Sequence, residues 1–316
     1  MVARLYTDDD RGRWNDFVAT SANGTFLHRR EYIEYHGDRM TDSSILIEKE
    51  ANGRLVAILP ANREGETLVS HRGLTYGGLI VGQRHLPDIE VERMIDSVLD
   101  LCRHIGIRKL VYRPVPHIYH RVPAEADIYA LLCKGASLTS AATSAIITLQ
   151  GRRLSNESMR QAVIKARREG LTVRRTDALH PFYEMLTTNL AERHNARPVH
   201  SLGELEQLRA QFPENIIPIG VFTPKMEMCA GILLYYTDTA VRTQYIASTE
   251  TGRSLGAIPL AIDELRDELA AEGYDFIDMG TSIDPATGLI DPGLSSQKYS
   301  LGARPTVCPE LTLDIV

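Results

Sequence analysis

The chain has 316 residues, of which 43% are hydrophobic and 24% are charged, so it can bury extensive cores and is not intrinsically disordered. This length fits two domains of about 150 residues each. The formal net charge of -6 excludes a generally basic surface, and nucleic acid is therefore not the expected partner.

Two further features lead us to expect a cytoplasmic protein. The N-terminal stretch MVARLYTDDDRGRW has no apolar signal core, and no run approaches the roughly 18 apolar residues of a membrane helix. The cysteines Cys102, Cys133, Cys229 and Cys308 are far apart and form no CxxC pair. We expect reduced thiols and no cysteine metal site.

The first half of the chain is predicted to hold three strands, a helix and a closing strand. The Asn52-Gly53 pair between two apolar runs predicts a hairpin. The helix carries apolar residues at helical spacing, and Gly106 is predicted to end it. In chain order these elements are SSILIEKE (43–50), RLVAILPANRE (54–64), TLVSHRGLTYGGLIV (67–81), DIEVERMIDSVLDLCRH (88–104) and RKLVYRPV (108–115).

The second half repeats this order. Aligning residues 94–110 on 261–277 needs no gap, and it superposes Gly106 on Gly273. Combined with the shared order of strands, the match predicts two copies of one α/β unit. The repeated elements are IIPIGVF (216–222), MCAGILLYYT (228–237), VRTQYIAST (241–249), AIPLAIDELRDELAAEG (257–273) and YDFIDMG (274–280).

A strand at 138–150 and a basic helix at 152–170 are predicted between the copies. We therefore place the boundary near residue 150, which gives domains at 1–150 and 151–316. The predicted fold class is α/β, with mixed α+β sheets. The basic helix face is either solvated or meets an anionic ligand.

Six blocks spread over the chain carry a resemblance to a known family. They are WNDF (14–17), GTFLH (24–28), RHNARPVHSLGEL (193–205), QYIAS (244–248), FIDMGTS (276–282) and GLSSQKYSLGAR (293–304). With the repeated order of elements, these blocks resemble the FemAB-like branch of the GNAT superfamily of N-acyltransferases. The resemblance implies two tandem GNAT-like domains, a degenerate first one and a second that carries the acyl-transfer site.

Acyl transfer from a thioester or ester to an amine requires a neutral amine, a carbonyl held beside it and a stabilised oxyanion. It requires no nucleophilic side chain, which agrees with the lack of a GxSxG motif in the sequence. The resemblance implies that Lys298, on a strand or turn beside the acyl site, stabilises the oxyanion. The alternative is a surface lysine in a loop.

Three further residues are predicted to move protons. His194 or His200 would deprotonate the attacking ammonium, and Tyr245 would protonate the leaving group. Each has a structural alternative, which is a polar helix end for the histidines and strand packing for the tyrosine. A metal site at the two histidines is not expected.

The donor is predicted to lie between a strand and the helix after it. Ser248, Gly252, Arg253 and Gly256 stand there, where the resemblance implies the pyrophosphate of an acyl-coenzyme A. An ordinary strand-to-helix turn uses the same glycines. The predicted substrate contacts are Arg197, Gln244, Asp278, Ser282 and Tyr299.

These residues predict an N-acyltransferase that uses acyl-coenzyme A as a co-substrate and holds no tightly bound cofactor or metal. The acceptor would be a sugar amine, a peptide or an amino compound, including a precursor in cell-envelope biosynthesis. Two alternatives stay open: an aminoacyl-tRNA-dependent transferase acting on a peptidoglycan precursor, and a non-catalytic binding protein of the same fold. Since the repeat is internal, we expect a monomer.

Overall fold

The computed structural model describes residues 1–83, 87–151, 154–194, 196–284 and 287–316, without the side chains of Asp38, Arg193 and His194. The chain divides into two compact units. Unit 1 is residues 1–142 with 307–316, and unit 2 is residues 143–306.

The elements of unit 1 form two sheets with helices around them. In chain order they are β1 (Val2–Leu5), α1 (Arg11–Thr20), α2 (Arg30–Glu34), β2 (Thr41–Asp42), β3 (Ile45–Glu48), β4 (Leu55–Leu59), β5 (Asn62–Glu64), β6 (Thr67–Val69), β7 (Ile80–Val81), α3 (Asp88–His104), β8 (Lys109–Tyr112) and α4 (Ala126–Cys133), after which β9 (Ser137–Thr148) contains the boundary between the units. One sheet has the order β1-β3-β4-β7, and in the other β8, β6, β5 and β2 are successive neighbours.

The apolar face of α3 packs into the core of unit 1. Val91, Ile95, Val98 and Leu99 recur at helical spacing and are all buried, as the sequence predicted. The helix ends where Gly106 adopts a positive φ of 76°, a conformation that glycine reaches without strain.

Two predicted strands of unit 1 are interrupted. The run at 54–64 divides into β4 and β5 around Pro60, which has no backbone N–H to donate to a ladder. The run at 67–81 divides into β6 and β7, because the backbone turns at His71, with φ at +49°, and at Gly78, with φ at +78°. A Cβ at Gly77 would lie 2.1 Å from the carbonyl oxygen of Ser70, so this loop packs on its own backbone.

Unit 2 is built from the second copy. Its elements are α5 (Glu157–Arg168), β10 (Thr172–Arg175), α6 (Leu179–His194), α7 (Leu202–Gln211), β11 (Ile216–Phe222), β12 (Met228–Tyr236), β13 (Ala240–Ser248), α8 (Glu250–Leu255), α9 (Ala257–Glu272), β14 (Phe276–Thr281) and α10 (Pro292–Ser300). The sheet order is β10-β11-β12-β13-β14-β9. All neighbours in it are antiparallel except β13 and β14, which are parallel. This is the mixed α/β architecture that the sequence predicted.

The division of the chain differs from the predicted one at residue 150. The last strand, β15 (Arg304–Asp314), pairs antiparallel with β8, so the C-terminal residues from Val307 onward belong to unit 1. Pairing between strands so distant in sequence leaves no local signal. Among the described helices, none has the length and apolar character needed to cross a bilayer.

Candidate functional site

Strands β13 and β14 pair only at their beginnings. The ladder runs from Ala240↔Phe276 to Arg242↔Asp278, whereas β13 continues to Ser248 in register with β12. Beyond Arg242, the edge of β13 that faces β14 has no strand partner among the described residues. We call the gap that opens there between the two strands the wedge. A β-bulge at Gln244, where the register with β12 shifts, accompanies the divergence.

The apex of the wedge is a buried ion pair. Asp278, at 2% exposure, accepts hydrogen bonds from an Arg242 Nη1 at 2.5 Å, from the Gly280 N–H at 2.7 Å and from the Ser144 hydroxyl. Arg242 also donates from Nε to the Gln244 Oε1 at 3.2 Å. The Asp278 side chain is thus held by three donors, and through the Gly280 N–H it fixes the turn after β14.

Lys298 is buried beside this turn. Its Nζ donates to the carbonyl oxygens of Gly280 at 3.0 Å and Thr281 at 2.5 Å. Burial lowers the pKa of Lys298 to about 8, the Asp278 carboxylate opposes this shift and the Arg242 guanidinium adds to it. The side chain is 6% exposed, so it is not a surface lysine in a loop.

Lys298 lies on a helix, and the prediction of a strand or turn was wrong. Helix α10 begins after Asp291, whose side chain accepts a hydrogen bond from the Leu294 N–H at 2.9 Å, and Pro292 occupies the first turn. An Asp N-cap followed by Pro is a helix start signal. The sequence therefore contains a start signal for α10 six residues before Lys298.

Tyr245 and His200 form the second pair of the site. The Tyr245 hydroxyl lies 2.7 Å from the His200 Nδ1, and His200 is buried while Tyr245 is half-buried. Burial raises the pKa of Tyr245, so its hydroxyl is protonated at neutral pH. The Tyr183 hydroxyl donates to the His200 carbonyl at 3.1 Å. The side chain of His194, the other predicted base, lies outside the described part of the chain.

The residues predicted to hold a pyrophosphate have structural partners. The Ser248 N–H donates to Asn189 Oδ1 at 3.0 Å, and the Ser248 carbonyl accepts from Arg253 at 2.6 Å. A Cβ at Gly252 would lie 2.1 Å from the Cys229 carbonyl oxygen, and one at Gly256, which has a φ of +79°, would lie 2.7 Å from the Ala162 carbonyl oxygen. Gly252 therefore allows α8 to pack closely on β12, and Gly256 allows the chain between α8 and α9 to pack closely on α5.

The remaining predicted contacts are spread around the site. Ser282 follows β14, and its carbonyl accepts from the Asp291 N–H at 2.8 Å. Tyr299 on α10 is 40% exposed, with the Arg304 guanidinium 5.6 Å from its ring centroid. Arg197 is exposed in the segment between α6 and α7. Lys298 and Asp278 are brought together, as are His200 and Tyr245.

Sequence reasoning missed Arg242, Ser144 and Gly280. Arg242 precedes the family-like block QYIAS by two positions, and Gly280 lies inside the block FIDMGTS, so both were adjacent to residues already singled out. Ser144 had no sequence signal, since it is 134 positions from its partner Asp278. Among the described side chains, no group of three or more His, Cys, Asp or Glu has an arrangement for a metal ion.

Comparisons with known proteins identify the architecture. No protein-family model matches the chain, and no curated protein matches it either. The solved structure of FemX superposes with a TM-score of 0.71 over 99% of this chain and 97% of that one, at 13% identity. The chain has the FemAB-like tandem GNAT fold.

Other solved structures share this FemAB-like tandem GNAT fold. L-PGS from Bacillus licheniformis has a TM-score of 0.58 at 12% identity, over 99% of this chain and 92% of that one. A tandem GNAT protein from the clavulanic acid biosynthesis pathway has a TM-score of 0.51 at 11% identity, over 100% of this chain and 98% of that one. At such identities the likeness defines the fold alone.

Proposed function

We propose that this protein transfers an acyl group from an activated donor to a primary amine by direct attack of the amine nitrogen. The observation that carries the proposal is the divergence of β13 from β14 at the Arg242–Asp278 pair, with the Lys298 ammonium fixed beside it. An open strand edge pairs with an extended ligand through backbone hydrogen bonds. The wedge would hold the acyl arm of the donor in this way.

The reaction requires a positive charge or hydrogen-bond donor beside the oxyanion of the tetrahedral intermediate. An ammonium has three N–H donors, and the carbonyls of Gly280 and Thr281 accept two of those of Lys298. The third would donate to the oxyanion in a site with little water, where such a bond is worth more than in solvent. Two fixed carbonyls hold the ammonium in place before the reaction begins.

The two proton transfers of the reaction are assigned to the pair of His200 and Tyr245. The amine nitrogen forms a bond to the carbonyl carbon and loses a proton. We propose His200, whose Nδ1 lies 2.7 Å from the Tyr245 hydroxyl, as the base that accepts this proton. The bond from carbon to the leaving sulfur or oxygen then breaks, and the Tyr245 hydroxyl protonates the leaving atom. Its pKa, raised by burial, keeps that proton available at neutral pH.

The donor we propose first is an acyl-coenzyme A, held along the open edge of β13. The experiment is thermal unfolding of the protein with acetyl-coenzyme A, longer acyl-coenzyme A thioesters and free coenzyme A. A ligand that binds only the folded state raises the midpoint temperature of unfolding by mass action. At a ligand concentration one hundred times the dissociation constant, the folded state gains about 2.7 kcal/mol. No shift with any thioester would rule out this donor.

A specific feature favours a second donor. The first turn of α8 carries Glu250, and its Gly252 N–H already donates to the Thr249 side chain at 3.0 Å. This helix start therefore disfavours a pyrophosphate, whereas an aminoacyl ester of tRNA needs none there. Binding of aminoacylated tRNA that weakens steeply with salt, with no response to thioesters, would establish this alternative.

The acceptor class proposed is a sugar amine, a peptide or a small amino compound. The test is a screen of glucosamine, a lysine-containing peptide and free diamines with whichever donor stabilises the fold, followed by mass spectrometry of the product. A protein that binds a donor and acylates none of these amines would be a binding protein of the same fold. That is the remaining alternative.

A further inference from the structure

Unit 1 contains a cavity that the acyl-transfer proposal does not use. It has a volume of about 340 Å³ and opens where β7 ends, beside the first turns of α3 and α4. A volume of this order is at the lower end of those of small-molecule sites. Its described lining includes Val81, Gly82, Val91, Val122, Asp127 and Tyr129.

One of the residues that line this cavity carries a buried carboxyl group. Asp127 is 4% exposed, and it accepts hydrogen bonds from the Tyr112 hydroxyl and from the Ile128 N–H at 2.9 Å. The Tyr112 hydroxyl in turn accepts from the Leu79 N–H at 2.6 Å. A carboxylate offers about four lone-pair sites, so these two donors leave acceptor capacity on Asp127.

The charge of the lining is negative. The acids Asp88, Glu125 and Asp127 contribute three carboxyl groups, and none of the described lining residues is Lys, Arg or His. The N-termini of α3 and α4 also meet the cavity, and each adds roughly half a positive charge. Their sum of about one positive charge does not balance three carboxylates, so the described part of the lining favours a cation over a phosphate.

The rim of the cavity is apolar. Val122 is 41% exposed and Tyr129 is 64% exposed, while Val81 and Val91 line the inside. Exposed apolar side chains around a concave site with one buried polar group are typical of pockets for small organic molecules. An aromatic ring at the mouth also attracts a cation through its face.

We propose that this cavity binds a small organic ammonium ion, with the Asp127 carboxylate as its counter-charge and the apolar rim against its hydrocarbon part. This goes beyond the acyl-transfer proposal, because neither Lys298 nor the wedge takes part.

The pH dependence of binding follows from the groups that face Asp127. Burial raises the pKa of Asp127 to about 6, while the Tyr112 hydroxyl and the Ile128 N–H oppose this rise and the Glu125 carboxylate adds to it. The carboxylate is therefore ionised at pH 7.5 and protonated at pH 5. Ammonium binding is expected to weaken about tenfold between these values, the ratio of the ionised fractions.

The test is isothermal titration calorimetry of the full chain with n-butylammonium and phenethylammonium chloride, with 1-butanol, sodium butyrate and inorganic phosphate as comparisons. We expect binding of an ammonium ion and none of the neutral or anionic comparisons. Absence of binding by both ammonium ions at millimolar concentration would overturn the proposal, as would equal binding of butanol, butyrate or phosphate.

Two variants localise the site. Asp127→Asn removes the charge and keeps an acceptor for Tyr112, and it is expected to weaken ammonium binding at least tenfold. Gly82→Leu places a larger side chain at a residue that lines the cavity and is expected to narrow it. The new Cβ would meet the Phe17 ring at an ordinary 3.7 Å, so the substitution is expected to be tolerated. Asp16→Asn, an exposed acid on α1, is the matched control and should bind as the unchanged protein does.

Melting curves show whether each variant is folded. If Asp127→Asn fails to fold, Gly82→Leu decides the question. Unchanged ammonium binding in a folded Gly82→Leu protein would overturn the proposed location, and unchanged binding in a folded Asp127→Asn protein would overturn the proposed counter-charge. Acyl-donor binding is measured separately, so failure here leaves the acyl-transfer proposal standing, and the reverse also holds.

Discussion

Arg242 donates to Asp278 at the last position where β13 and β14 pair, so the ion pair marks the point at which the two strands separate. Asp278 also accepts from the Gly280 N–H, and the Gly280 carbonyl accepts from Lys298. The position and the charge of Lys298 therefore depend on both members of the pair.

Replacing either member of the pair is expected to move the pKa of Lys298, in opposite directions. Asp278→Asn removes a carboxylate that raises this pKa, so it should fall below about 8, whereas Arg242→Met removes a cation that lowers it, so it should rise. The measurement is the pH dependence of Lys298 acetylation by trace acetic anhydride, followed by mass spectrometry.

Both variants break an ion pair whose carboxylate is buried, and they should lose about 3 kcal/mol of stability. A general loosening of the fold would move the pKa of Lys298 in the same direction in both variants. Only the electrostatic explanation predicts opposite directions. Asp263→Asn, which removes a partly buried acid on α9, is the control. Shifts of equal sign in the two variants would contradict the account.

Lys298→Met is expected to lower kcat/KM for acyl transfer by about 10² to 10³, because the oxyanion loses one preorganised donor. Lys225→Met, at an exposed lysine in the turn between β11 and β12, should leave the rate unchanged. Single-turnover kinetics at pH 7 measure both variants. Full activity in a folded Lys298→Met protein would remove this lysine from the mechanism.

The buried ammonium also predicts how stability depends on pH. The pKa of Lys298 is lowered in the folded state to about 8 from 10.5, so between these values the unfolded chain binds more protons and stability rises with pH. The stability of the unchanged protein relative to Lys298→Met should increase by on the order of 3 kcal/mol across this interval. Urea unfolding at pH 7.5 and 10.5 measures the increase, and a flat difference would argue against the shifted pKa.

Gly252→Ala separates packing from phosphate binding. The new methyl group meets the Cys229 carbonyl oxygen at 2.1 Å, so we expect a loss of about 1 to 3 kcal/mol with or without a donor. Gly203→Ala on α7 has no atom within 4 Å of its Cβ and should stabilise the protein by about 0.5 to 1 kcal/mol. Weaker coenzyme A binding without loss of stability would instead assign Gly252 to the donor site.

Tyr245→Phe keeps the ring and removes the hydroxyl that lies 2.7 Å from His200 Nδ1. We expect a loss of about 1 kcal/mol of stability and a fall in kcat of about 10² or more, since the leaving group loses its acid. Tyr183→Phe removes the other hydroxyl on His200 at a similar cost in stability and should affect the rate far less. Equal rate effects in the two variants would indicate a structural role only.

The local elements were predictable because their signals are local. Helix α3 spans the predicted residues, and β11 spans the predicted strand, since apolar spacing and a terminal glycine act within a few residues. The repeated order of strands and helix predicted two copies of one α/β unit. The resemblance to the FemAB-like branch implied a tandem GNAT fold, which the FemX comparison confirms. Asp291 and Pro292 at the start of α10 are a signal of the same local kind, because an Asp N-cap followed by Pro favours a helix start.

The site and the division of the chain were decided by tertiary structure. Arg242, Asp278 and Ser144 meet only because β13, β14 and β9 lie side by side, and no periodicity within one segment encodes that neighbourhood. The last strand likewise joins unit 1 through its ladder with β8. The sequence by itself determined the elements and their repetition, because backbone and side-chain preferences act over a few residues. Burial of Lys298 and the opening of the wedge depend on strand pairing across the whole unit, where long-range contacts outweigh local preference.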